Sequence, residues 1–250
     1  MKHLILSGLV LLTLVASKPP QDHNALTAKE KKDGWKLLFD GKTTNGWRGA
    51  YLDKFPAGGW AVEDGTLAIA KTDGRESRNA GDIVTDGEFS NFDLTFEFRL
   101  TEGANSGLKY FVVEHQPKPA GSAFGLEYQV LDDDKHPDAK MGRDGNRTVG
   151  SLYDLKPAQS KQAKPIGEWN QGRVLVSGSH VEHWLNGKKV LDYKRGGEDF
   201  RKLVAMSKYA TPAYNANGRF GEAPKGHILL QDHGDKVSFR DIKIKELRTQ

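Results

Sequence analysis

The 250-residue chain contains no cysteine. Disulfides are therefore excluded, and a domain of this length must hold together by core packing alone. Long apolar runs are almost as scarce. The one such run, Leu4–Val15, is too short for a bilayer-spanning helix. Charge of one sign is not concentrated anywhere: the formal net charge is +4, with no Lys/Arg block. That balance argues against a nucleic-acid partner. Several catalytic signatures are also missing. There is no P-loop, no GxGxxG, no Ser nucleophile elbow, no His-Glu-x-x-His and no Glu-x-Asp-x-x-Glu strand.

The beginning of the chain has its own character. Lys2 and His3 precede the apolar run, and the small residues Ala16 and Ser17 follow it. This is the pattern of a secretory signal peptide, with a leader over residues 1–17 and a secreted or periplasmic protein as the expectation. No Cys follows Ala16-Ser17, so lipid attachment there is closed. Residues 18–32 read as a polar leader segment, and 33–250 as one domain.

Nine Asp-Gly or Asn-Gly pairs punctuate the chain. Such pairs accept positive φ and favour tight hairpins. Between them lie short alternating runs. Phe92, Leu94, Phe96, Phe98 and Leu100 alternate with Asp93, Thr95, Glu97 and Arg99, which predicts a strand with one apolar face. Further strands are predicted at Leu108–Val113, Val174–Val176, His180–Leu185, Lys188–Tyr193, His227–Gln231 and Val237–Leu247. Hairpins are expected at Asp64-Gly65 and Asn186-Gly187. Phe200, Leu203 and Val204, behind Glu198 and Asp199, predict one short helix. The fold class is thus all-β, a two-sheet antiparallel jelly-roll sandwich. Three long connections, 114–124, 132–148 and 207–226, are functional rims or mobile insertions.

The stretch 125-GLEYQVLDDDKHPDA-139 poses the functional question. Leu126, Tyr128 and Val130 form an apolar face, while Glu127 and Gln129 share the other. Glu97 with Arg99, and Gln231 with His233, repeat the pattern, and His183 sits in another short strand. Groups of this kind suit directional hydrogen bonding and proton transfer better than a merely solvated face does. Neighbours two apart on one strand are about 6.5–7 Å apart, a spacing suited to sugar hydroxyls. Most of the five Trp belong in a core, leaving one or two for a ligand groove.

The motifs, taken in order, resemble those of the 3-keto-disaccharide hydrolase family (domain of unknown function 1080). They are 35-WKLLFDGKTTNGWRG-49, 60-WAVEDGTL-67, 96-FEFRL-100, 105-NSGL-108, 125-GLEYQVLDD-133, 150-GSLYDL-155, 165-PIGEWN-170, 183-HWLNGKKV-190 and 228-ILLQDHGDKVSFRDIKIKEL-247. Arg240-Asp241-Ile242 departs from the family's usual Arg-Asn-Ile. The resemblance implies a concanavalin A-like sandwich and an enzyme, hydrolase or lyase, that cleaves glycosides oxidised at C3 of a glucosyl ring.

A ketone at C3 acidifies the C2 proton, so one base and an electrophile at the C3 oxygen suffice for elimination. Glu127 or a His is the candidate base. Arg99, His183 or His233 is the candidate electrophile, and Glu97, Asn105, Gln129, Asp132, Gln231 and His233 are candidate sugar-binding groups. A divalent metal ion on Glu127, His183 and His233 is an alternative electrophile. No other cofactor is implied, and the oligomeric state is not set by the sequence. The partner expected is an oxidised glucoside or disaccharide. A carbohydrate-binding module without catalysis is the competing reading.

Overall fold

A computed structural model describes residues 22–72, 81–115, 118, 123–215 and 218–248. The expected leader, residues 1–17, lies outside the described residues, and among those described no helix is long and apolar enough to cross a membrane. Two antiparallel sheets face each other. The larger sheet contains β1 (Trp35–Leu37), β3 (Trp60–Glu63), β4 (Thr66–Ile69), β6 (Phe92–Leu100), β9 (Asn170–Ser177), β10 (His180–Leu185), β11 (Lys188–Lys194) and β13 (Val237–Glu246). Its order is β11-β10-β9-β6-β13-β4-β3, with β1 also paired to β13. The smaller sheet contains β2 (Trp47–Gly49), β5 (Ile83–Thr85), β7 (Asn105–Val113), β8 (Phe124–Leu131) and β12 (His227–Leu230), in the order β2-β5-β12-β7-β8. The expected jelly-roll sandwich is therefore observed.

Local chemistry explains the hairpins. Asp64 and Gly65 both have positive φ, 48° and 71°, as do Asn186 and Gly187 at 50° and 79°. Two consecutive positive φ values match the right-handed twist of the flanking strands. The alternating residues of β6 supply the inner face: Phe92, Leu94, Phe96 and Phe98 are fully buried. Phe96 meets Tyr128 of β8 edge to face across the sandwich, with ring centroids 5.2 Å apart.

The expected helix is present as α2 (Glu198–Ala205), which buries Phe200 and Val204. Two shorter helices, α1 (Ala28–Lys32) and α3 (Pro212–Asn215), accompany it. The polar segment before residue 33 is part of the packed structure from His23 onward. Thr27 and Glu30 form a capping box on α1. Asn24 and Asp241 exchange backbone-to-side-chain hydrogen bonds of 2.6 and 2.9 Å, and Lys243 Nζ donates to Glu30 at 2.9 Å.

The two sheets differ on their outer faces. In β6 inner residues are buried while outer ones are partly or fully exposed, as expected for a solvated face. In β7 and β8 nearly every residue is buried on both faces. Residues from the segments 132–156 and 207–215 stand over the outer face of the smaller sheet, around a cavity.

Candidate active site

The floor of the cavity is built by strand alternation. Asn105, Gly107 and Lys109 of β7 share a face, and the β7–β8 register places Gly107 against Gln129 and Lys109 against Glu127. Gln231 extends β12, its backbone N–H donating to the Gly107 carbonyl at 3.0 Å. The cavity, about 170 Å³, is lined by Asn105, Lys109, Glu127, Gln129, Gln231 and His233 on its polar side. Phe124, Tyr153, Lys208, Tyr209 and Tyr214 complete the walls. This volume lies below the roughly 300–1,000 Å³ of pockets that enclose drug-sized ligands.

Glu127 is the centre of this arrangement. It is 4% exposed and is the one carboxylate among the described lining residues. With their amide nitrogens turned toward it, Gln129 and Gln231 each donate to its Oε1 at 3.1 Å. Burial pushes the Glu127 carboxyl above its ordinary range, while the charges of Lys109 and Lys208 pull it back down. A carboxylate so placed is a stronger base than an exposed one. His233 Nε2 lies 3.1–3.2 Å from the Gln231 amide. Burial first, and then the Lys109 charge, pushes His233 down to about 4, so it is neutral at pH 7.

Lys208 comes from the opposite wall. Its Nζ sits 4.3 Å from the Tyr153 ring centroid, 5.2 Å from Tyr209 and 6.0 Å from Tyr214. Burial lowers its pKa and the Glu127 charge raises it. The aromatic faces add attraction for an ammonium. Its backbone is fixed as well: Lys208 N–H donates to Asp154 Oδ2 at 2.7 Å. Asp154 also accepts from Arg147 at 2.6 Å, Arg147 donates to Asp138 at 2.8 Å, and Tyr153 donates to Asp138 at 2.8 Å. This chain of charges ties the two rim segments to each other.

The expected site residues thus divide. Glu127, Gln129, Asn105, Gln231 and His233 are brought together. Glu97 and Arg99 lie on the outer face of the larger sheet, across the sandwich. There Glu97 accepts from Arg240 Nε at 2.8 Å, and Arg99 lies over Trp169 at 4.8 Å. His183 is fully buried between the sheets. Its Nδ1 donates to the Gly150 carbonyl at 3.0 Å, leaving Nε2 to accept from the Tyr110 hydroxyl at 2.8 Å. The parity of β10 points it inward, so it positions the 150–153 segment instead of reaching the cavity. Asp132 is used up by the turn after β8, where it accepts backbone N–H bonds from Gly103, Asp134 and Lys135 at 2.7–3.2 Å. It lines a separate cavity of about 450 Å³ with Phe98, Leu100 and Leu131.

None of the five Trp lines the first cavity; its rings are Phe124, Tyr153, Tyr209 and Tyr214. Lys109 could have been found by extending the parity of Asn105 along β7. Lys208 and its tyrosines carry no periodic signal, because they lie in an irregular connection.

Metal-binding potential lies elsewhere. Among the described residues, His23, Glu97 and Asp241 are the one group of three whose ligand atoms gather within 4.8 Å. His23 and Asp241 already bond to each other at 2.6 Å. The candidates Glu127, His183 and His233 do not converge, since His183 is in the core. Two lysines facing Glu127 suit an anion better than a divalent cation.

The profile of the 3-keto-alpha-glucoside-1,2-lyase-like domain family matches residues 34–245. The chain belongs to this family. A relative from Bacteroides thetaiotaomicron, named 3-keto-disaccharide hydrolase, is 39% identical over 230 residues, covering 86% of this chain and 79% of that protein. A crystal structure from Parabacteroides distasonis, described as a candidate glycosyl hydrolase, matches with a TM-score of 0.77 and 33% identity, covering 91% of this chain and 100% of that one. A second structure from the same organism, described in the same way, gives a TM-score of 0.61 and 28% identity over 85% of this chain and 99% of that one. Family membership and the sandwich mark the chain as carbohydrate-active.

Proposed function

We propose that the protein cleaves glycosides whose glucosyl ring carries a ketone at C3. The observation that carries this reading is Glu127, the one carboxylate among the described residues lining the cavity, with two lysines and two amides around it. Ordinary glycosidases need two carboxyl groups flanking the glycosidic bond. A 3-keto-glycoside needs one base and a positive environment for the C3 oxygen.

In this reaction Glu127 takes the C2 proton, and the electron pair of that C–H bond moves toward the C3 oxygen as an enolate. Lys109 and Lys208 stabilise the oxyanion, the part expected of Arg99, His183, His233 or a metal ion on sequence grounds. The enolate then expels the C1 substituent, whose oxygen takes up a proton. The first products are a 2-hydroxy-3-ketoglucal and the free leaving alcohol; addition of water across the C1–C2 double bond completes net hydrolysis. Gln129, Gln231 and Asn105 hold ring hydroxyls. The name borne by the Bacteroides relative supports the substrate class.

We place the reaction outside the cytoplasm, on the strength of the leader-like residues 1–17. N-terminal sequencing of exported protein should begin near residues 17–20; an intact Met1 would contradict export with cleavage. The activity itself is tested by incubating the purified protein with 3-keto-trehalose, 3-keto-glucosides and their unoxidised parents. Release of the leaving alcohol from the keto forms alone is expected. Saturable sugar binding without any cleavage would instead establish a binding module.

A further inference from the structure

The cavity has two chemically different ends, and Glu127 lies between them. Along β8, Gln129 lies two residues to one side of Glu127 and Phe124 three residues to the other, about 7 and 10 Å at strand spacing. The Gln129 end presents amides: the side chains of Gln129 and Asn105 are 3.2 Å apart, and Gln231 adjoins them across Glu127. The Phe124 end presents rings. Phe124 and Tyr214 are paired with centroids 4.9 Å apart at an interplanar angle of 55°. Both are half-buried and both line the cavity. Both residues therefore border the cavity in the free protein.

A pyranose ring fixes how a substrate uses these two ends. C1 and C4 stand opposite each other across the ring. With C2 at Glu127, hydroxyls on the C4 side and the substituent on C1 must point in opposite directions. Amides are the groups that read hydroxyls, and aromatic faces are the groups that cover a flat, partly apolar ring. We propose that the keto-ring occupies the amide end and that Phe124 and Tyr214 form a platform for the leaving group. The preferred leaving groups are rings, a second sugar or an aryl alcohol, in preference to a small alkyl alcohol. This assignment rests on the reading of the cavity as a 3-keto-glycoside site.

The test compares kcat/KM for a 3-keto-disaccharide and for methyl 3-keto-glucoside in wild type, Tyr214→Ala and Tyr214→Phe. Intrinsic leaving-group ability is the same for all three proteins and cancels when their substrate ratios are compared. Tyr214 is the residue of choice because it sits in the short helix α3, outside the sheets, whereas Phe124 belongs to β8. Tyr214→Ala should lower the disaccharide-to-methyl ratio roughly three- to ten-fold. Tyr214→Phe should keep a ratio close to wild type, because the ring is retained. A ratio unchanged in Tyr214→Ala overturns the platform, whether or not both rates fall. A loss in Tyr214→Phe as large as in Tyr214→Ala also overturns it, since the hydroxyl and not the ring would then matter. Wild-type protein that cleaves neither substrate overturns the keto-glycoside reading and the platform with it.

Discussion

A Cβ on Gly107 would lie 2.2 Å from Oε1 of Glu127 and 2.8 Å from its Cδ. The missing side chain on β7 is the space in which the Glu127 carboxylate lies. Gly107 has no unusual backbone angle to preserve, so its role is to make room. Gly107→Ala should therefore fold and displace the carboxylate. A misplacement of about 1 Å at a reacting group lowers turnover roughly 10²-fold. Steady-state kinetics beside a melting curve check this; full activity in a folded Gly107→Ala protein would contradict the position assigned to Glu127.

The raised Glu127 pKa gives a pH signature. The base must be ionised, so kcat/KM should rise with pH along a limb centred above the ordinary glutamate range. The stability effect has the opposite sign. Where the folded-state pKa exceeds the unfolded one, the native state binds more protons, so stability falls as pH rises through that window. Glu127→Gln removes this penalty. Its melting temperature relative to wild type should therefore be more favourable at pH 7 than at pH 4, measured by thermal denaturation at both values.

Lys208 has a distinct expected phenotype. Lys208→Met keeps the length and apolar stem of the side chain and removes the charge. If Lys208 stabilises the oxyanion, kcat should fall roughly 10²–10³-fold, the effect of removing one oxyanion donor. The fold should persist, because Asp154 holds Lys208 through its backbone N–H, which the substitution retains. A loss confined to KM would assign Lys208 to substrate binding alone.

Burial holds two histidines neutral, His183 and His233, each pushed down to about 4. An unfolded chain protonates them near 6.5, so it binds more protons between the two values. Stability should be lost as pH falls from about 6.5 toward 4, each site contributing up to roughly 3 kcal/mol at the acid end. Denaturant midpoints of the Glu127→Gln protein, measured between pH 7 and 5, check this without the opposing titration of Glu127 and above the range where most carboxylates titrate. A flat profile there would contradict the buried neutral state.

How far the site was legible follows from the same residues. Strand parity exposed Glu127 with Gln129, and Gln231 with His233, because a period of two assigns each side chain to a face. Parity does not say which sheet a strand joins. Glu97 and Arg99 look like the β8 pair in sequence, yet β6 lies in the opposite sheet, where Glu97 pairs with Arg240 and Arg99 lies over Trp169. His183 was a candidate for its residue type, yet it shares the parity of Val181 and Leu185, and its partners are a carbonyl and a tyrosine inside the sandwich. Lys208, Tyr209 and Tyr214 reach the cavity only through the fold of a connection, held by Asp154 and by Arg195, which donates to the carbonyls of Gly221 and Ala223. Those tertiary contacts leave no local pattern to read.

The proposed role of Glu127 is removal of the C2 proton of a 3-keto-glucosyl ring. It is tested most directly by the rate of leaving-group release from a 3-keto-glucoside carrying deuterium at C2, set beside the protium compound, in wild type and Glu127→Gln. Wild type should release the leaving group more slowly from the deuterated substrate, and Glu127→Gln should be slower than wild type by roughly 10²–10⁴-fold with its fold intact. Turnover unchanged in folded Glu127→Gln, or equal cleavage of the unoxidised glucoside, would contradict the account.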